Sequence, residues 1–144
     1  MLISDVLGSK GHEVITVRTG DTVGLAVRKL ADHRIGALVV EDQWMKLVGI
    51  FSERDFIGAV ARDGASVLGF EVRQLMSSPI ISCRSSDRID AVLATMTGAR
   101  IRHLPVIEEA ELKGIVSIGD LVKHRLEEKE LEANVLLELS RMRV

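Results

Sequence analysis

Hydrophobic and polar positions recur along this chain in a long-period pattern that appears twice. Residues 14–61 and 80–126 align with a single-residue gap opposite Lys46. Identical pairs run through the alignment: Ile15/Ile81, Arg18/Arg84, Asp21/Asp87, Arg34/Arg100, Ile35/Ile101, Leu38/Leu104 and Val40/Val106, then Leu47/Leu112, Gly49/Gly114, Ile50/Ile115, Ser52/Ser117 and Asp55/Asp120. The stretches that lead into each copy also share a pattern, residues 3–7 matching 72–76.

Each copy predicts the same elements. An extended segment (14–17; 80–83) ends at Asp21 or Asp87, residue types suited to a helix N-cap. Val23, Ala26, Val27, Leu30 and Ala31 then recur at helical spacing, as do Ile89, Val92, Leu93 and Met96. A wholly apolar strand follows (37–40; 104–107), and an acidic turn leads back through a second strand (47–51; 112–116). Ser52 and Ser117 open a second helix. The expected fold is α/β (α+β): two pseudo-symmetric βαββα units packed sheet to sheet, plus a C-terminal helix. Expected boundaries are 1–66 and 67–126 for the units and 127–144 for the terminal helix, with residues 62–69 as a polar connector. Apolar residues from Leu121 to Met142 flank a charged run, 127–132. That segment fits a packing arm for its own chain and a self-association helix equally.

Composition narrows the function classes. The chain has 144 residues, 47% hydrophobic and 28% charged, a globular balance. Aromatics are 3% with no Tyr, which argues against base stacking on single-stranded nucleic acid. A net charge of −2 supplies no field toward nucleic acid or membrane. No apolar run nears the ~18 residues that span a bilayer, and the first ten residues lack a secretory pattern, so a cytoplasmic location is expected. The single cysteine, Cys83, excludes an internal disulfide and reads as a small buried hydrophobe. His12, His33, His103 and His124 lack metal-ligand spacing, so no metal is expected. Neither Ser52 nor Ser117 has a sequence-local base and orienting acid, and no enzyme is expected.

Two motifs carry candidate chemistry. Ser52-Glu53-Arg54-Asp55 and Ser117-Ile118-Gly119-Asp120 sit at matched strand-to-helix transitions. Ser-x-x-Asp there forms a capping box, but the same geometry offers amides to an anion and a carboxylate to a ribose diol. Both readings fit. Arg102 and His103 precede the second apolar strand where the first copy has Gly36 and Ala37. Cations at that mouth suit a phosphate or plain solvated surface. Arg54 makes the same offer in the first copy, opposite Gly119 in the second.

Together these motifs resemble a tandem pair of cystathionine-β-synthase (CBS) domains, or Bateman module, over residues 3–126. They are most similar to stand-alone bacterial CBS-pair proteins. The resemblance implies a regulatory module that binds an adenosyl ligand (AMP, ADP, ATP, NAD(H) or S-adenosylmethionine) in clefts between paired sheets. It implies a homodimer and an unidentified protein partner. Asp55 and Asp120 would hold ribose hydroxyls, with Ser52 and Ser117 near the ribose-phosphate. Arg102 and His103, ahead of Pro105, would face phosphate with help from Arg54. Thr16 and Ser82 would lie at the adenine edge. A ligand-independent dimerisation scaffold is the alternative.

Overall fold

Chain order is α1 (Ile3–Lys10), β1 (Thr16–Arg18), α2 (Val23–His33), β2 (Ala37–Glu41), β3 (Leu47–Ser52), α3 (Glu53–Asp63), a 3-10 segment (Gly64–Gly69), the single turn α4 (Val72–Leu75), α5 (Ile89–Ala99), β4 (His103–Glu108), β5 (Glu111–Ser117) and α6 (Ile118–Arg141). The computed structural model describes residues 1–11 and 13–142. The fold is mixed α/β; the predicted βαββα pattern is complete in the first copy, and in the second its first strand is reduced to an isolated bridge.

The strand registers bear out the alignment. β1 runs parallel to β2 with Val17 opposite Val40, and β2 pairs antiparallel to β3 with Val40 opposite Gly49. In the second copy Cys83 bridges Val106, and Val106 lies opposite Gly114. Each hairpin carries an irregularity just after the matched valine, at Val40/Glu41 and Val106/Ile107. The predicted strand at 80–83 shrinks to that one bridge, and Pro105 is the reason. Cys83 N–H donates to the Pro105 carbonyl, and Ile107 N–H donates to the Cys83 carbonyl. The next rung of a parallel ladder needs an N–H from residue 105, which proline lacks.

Asp21 and Asp87 do not cap the helices that follow them. Their carboxylates reach back and accept the amides of Arg18 (2.9 Å) and Arg84 (2.8 Å), closing the strand-to-helix turn. The N-caps fall one residue later, at Thr22 and Arg88, and Thr22 Oγ1 accepts from Leu25 N–H. The expected connector is helical throughout, its first two residues ending α3 and the rest forming the 3-10 segment, which carries fully buried Val67.

Spatial bodies do not follow the repeat boundaries at 66/67. Glu13–Ser82 is one compact body, and α1 belongs with the elements after Cys83 in the other. Each lead-in therefore packs on the opposite repeat. Val72 and Arg73 amides donate to the carbonyls of Asp21 and Thr19, while Ile3 and Ser4 amides donate to those of Asp87 and Ser85. Val23 N–H reaches the Phe70 carbonyl, just as Ile89 N–H reaches that of Met1. The first body's core includes Val17, Leu30, Leu38, Phe51 and Val72; the second's includes Ile3, Leu7, Met96, Leu104 and Leu121.

The expected boundary at 126/127 does not interrupt the helix: α6 is continuous over Ile118–Arg141. Neither Gly nor Pro interrupts the chain after Gly119, so α6 runs on from Ser117 for 24 residues. Leu121 and His124 are buried, but Leu131, Val135, Leu139 and Met142 continue the same face at three- and four-residue steps into solvent, each at least 50% exposed. A packing arm on its own chain is thereby excluded for the last turns.

Gly49 and Gly114 admit the exchanged lead-ins. A Cβ at Gly49 would lie 2.7 Å from the Ser77 carbonyl oxygen, and one at Gly114 would lie 2.6 Å from Leu7 Cδ2. Backbone at Ser77 is tied to Ile50 by two hydrogen bonds, whereas the tip of Leu7 can rotate. Gly49→Ala should therefore destabilise by about 1–3 kcal/mol, and Gly114→Ala by less. Urea denaturation gives both values, and the reverse ranking contradicts this packing.

Candidate functional site

Each antiparallel hairpin delivers its last residue, a serine in extended conformation, into the first turn of a helix. Ser52 Oγ accepts from Asp55 N–H (3.3 Å), and Asp55 Oδ2 accepts from Ser52 N–H (2.9 Å). The second copy repeats this: Ser117 Oγ accepts from Asp120 N–H (3.1 Å), and Asp120 Oδ2 accepts from Ser117 N–H (2.9 Å). The capping function is thus present in both, and it fixes both carboxylates over a helix N-terminus, where the backbone field is positive. The first helical amide of each, Glu53 or Ile118, donates to the carbonyl of Gly36 (3.0 Å) or Arg102 (2.8 Å).

In the second body these bonds bring most of the predicted residues together. His103 opens β4 directly opposite Ser117, and Arg102 precedes it with an exposed side chain. Half-buried Asp120 and exposed Gly119 stand on the adjoining turn. Arg102, His103, Ser117, Ile118, Gly119 and Asp120 thus gather at one end of the β4–β5 hairpin, around the start of α6. Pro105 is buried further along the strand, opposite Ile115, and acts through its backbone rather than as a wall of that turn.

The first body assembles less chemistry at the matched place. Ala37 lies opposite Ser52 and Gly36 precedes it, so the two positions matched to Arg102 and His103 carry no charge here. Exposed Arg54 sits on the first turn of α3. Thr16 pairs with Val39 in the ladder, and its carbonyl accepts from Lys29 Nζ at 2.8 Å. Exposed Ser82 is the last residue of this body.

Two side chains missing from the expected set touch these turns. Ser77 Oγ donates to Asp55 Oδ1 at 3.1 Å. His124, 7% exposed, places Nδ1 3.0 Å from the Asp120 carbonyl and Nε2 3.3 Å from Ser9 Oγ. A carbonyl only accepts, so Nδ1 carries a proton. Ser77 lies one residue beyond the matched lead-in 72–76, and nothing in the spacing points it at Asp55. His12 lies outside the described residues. Among those described, no three His, Cys, Asp or Glu side chains converge as a metal site would need.

Cys83 offers no accessible nucleophile. Its buried Sγ lies 3.8 Å from the Pro105 carbonyl, and burial, aided by the Asp87 charge, pushes the thiol from 9.0 up to about 12. Thiolate is the reactive form. Native protein at pH 8 should resist a thiol reagent and react fully once denatured. Prompt labelling of the native protein contradicts the buried placement.

Comparisons with known proteins show the family and the fold. The CBS domain family model matches residues 3–62 and 72–127. A CBS-domain-containing protein of Agrobacterium tumefaciens has a crystal structure similar to this one, with a TM-score of 0.83 and 42% identity over 86% of this chain and 92% of that one. The mitochondrial CBS domain-containing protein CBSX3 of Arabidopsis thaliana is 35% identical over 92% of this chain and 71% of its own length. A CBS domain protein of Pyrobaculum aerophilum, solved in complex with AMP, has a TM-score of 0.78 and 27% identity, covering 92% of this chain and 99% of that one.

Proposed function

The chain belongs to the CBS-domain family, and from that premise we propose that it is a regulatory module that binds an adenosyl ligand, with AMP the best fit. It acts by binding and not by catalysis, and it passes its ligand state to a partner protein. The observation that carries this reading is the cluster at the start of α6. There Arg102 offers a guanidinium, His103 an imidazole and the α6 N-terminus its positive backbone field, and Asp120 offers a carboxylate to a ribose diol. The AMP complex of the Pyrobaculum aerophilum protein supports the choice of ligand class. Asp55, Ser52 and Arg54 form a second, poorer half-site. Thr16 and Ser82 serve the adenine edge, and ADP, ATP, NAD(H) and S-adenosylmethionine are the competing occupants.

A phosphate gains charge-assisted hydrogen bonds that adenosine cannot make. AMP should bind at least about tenfold more tightly than adenosine, or ~1.4 kcal/mol. Arg102→Ala should remove most of that advantage while sparing adenosine, and added salt should shrink it. In the same calorimetric series Asp120→Ala should cost about 1.5–3 kcal/mol, more than Asp55→Ala. Equal affinity for AMP and adenosine overturns the phosphate role, and a worse Asp55→Ala overturns the ranking.

A second reading, a dimerisation scaffold that needs no ligand, is favoured by one observation: the apolar face of α6 beyond His124. The two readings share an expected homodimer in the cytoplasm. Light scattering at micromolar concentration should return twice the chain mass, and a value near 15.8 kDa contradicts the dimer. A panel of adenine nucleotides separates the readings. A ligand at 100 times its Kd adds ~2.7 kcal/mol of apparent stability to a binder and nothing to a scaffold.

A further inference from the structure

The carboxylate of Asp55 is engaged by a residue of the lead-in that packs on its own body. After α4 the chain turns extended at Met76, and Ser77 forms a bridge with Ile50 at β3, its N–H donating at 2.8 Å and its carbonyl accepting at 3.0 Å. That bridge fixes the Ser77 hydroxyl on Asp55 Oδ1. Oδ2 of the same carboxylate already accepts Ser52 N–H (2.9 Å) and Ser52 Oγ (3.1 Å). A carboxylate offers about four acceptor positions, so three donors from the chain leave room for roughly one more. A ribose diol brings two. In the second body, among the described residues, no bridge pairs β5 with α1.

We propose that Ser77 is an internal competitor for the diol-accepting carboxylate of the first copy, its hydroxyl occupying Asp55 Oδ1 where a ribose hydroxyl would otherwise bind. This rests on the adenosyl reading above and extends it to the order of filling. A ligand reaching Asp55 must displace the Ser77 hydroxyl. The bridge to Ile50 keeps the residue in place, so only the side-chain rotor yields. The Asp120 half-site, flanked by Arg102 and His103, fills first, and the Asp55 half-site responds at higher ligand concentration. One chain then covers a wider concentration range than two equal sites would.

The test uses the full chain and AMP as the probe, in an Asp120→Ala background that leaves the first-copy site to be read alone. Adding Ser77→Ala should tighten AMP binding there by about 3–10-fold, the effect of freeing one acceptor from an exposed neutral hydroxyl. Ser77→Thr, which restores a hydroxyl, should bring the affinity back. Asp55→Ala added to Ser77→Ala should abolish the gain. If Asp120→Ala melts below the assay temperature, the same substitutions are read in the unmutated chain as a shift of the weaker of two binding events. Unchanged or weaker AMP binding by folded Ser77→Ala overturns this inference and leaves the adenosyl reading standing. No AMP binding by any form, the unmutated chain included, overturns both.

Discussion

A glycine in the outer strand of each hairpin sets how closely another segment can approach, and the arrangement of both bodies depends on that approach. At Gly49 the Ser77 carbonyl sits where a side chain would be, and at Gly114 the tip of Leu7 does. The segments that exploit these gaps come from the opposite repeat. Backbone bonds from the lead-in amides to the carbonyls at Thr19 and Asp21, and at Ser85 and Asp87, lock the exchange at a second point. With β3 and β5 held this way, Ser52 and Ser117 are delivered into helix starts at fixed positions. Everything the candidate site can do follows from where those two serines end.

Backbone and side chains divide the work between likeness and difference. The hydrogen bonds that build the fold recur in both copies, including the capping boxes and the bonds from Glu53 and Ile118 to the strand mouths. The groups that could meet a ligand do not recur. Arg102 and His103 replace Gly36 and Ala37, and Gly119 replaces Arg54. Pro105 also trims the second sheet by withholding one donor, leaving Cys83 as a single parallel rung. A duplicated frame thus carries two unequal sites.

Much of this was legible in the sequence because the repeat reinforces weak local signals. Paired glycines, paired serines and paired aspartates fix the register, and the observed ladders follow it. Gathering of Arg102 and His103 near Ser117 follows from the hairpin alone. Other features needed three dimensions. Alignment shows that residues 3–7 correspond to 72–76, but not that each packs on the other copy, since either choice buries the same apolar residues. Asp21 and Asp87 have the residue type of caps, yet their carboxylates reach the preceding strand instead. The contact of Ser77 with Asp55 joins residues far apart in sequence, with no periodicity to reveal it. The continuity of α6 was hidden by its charged run, which marks a solvated face rather than a boundary.

The central claim is that the start of α6 and the mouth of β4 form one adenosyl-phosphate site. Amide chemical shifts recorded during an AMP titration test it most directly. The account predicts that His103, Ile118, Gly119 and Asp120 shift first, followed at higher concentration by Arg54 and Asp55. Shifts that leave residues 102–103 and 117–120 untouched while other segments respond would contradict it.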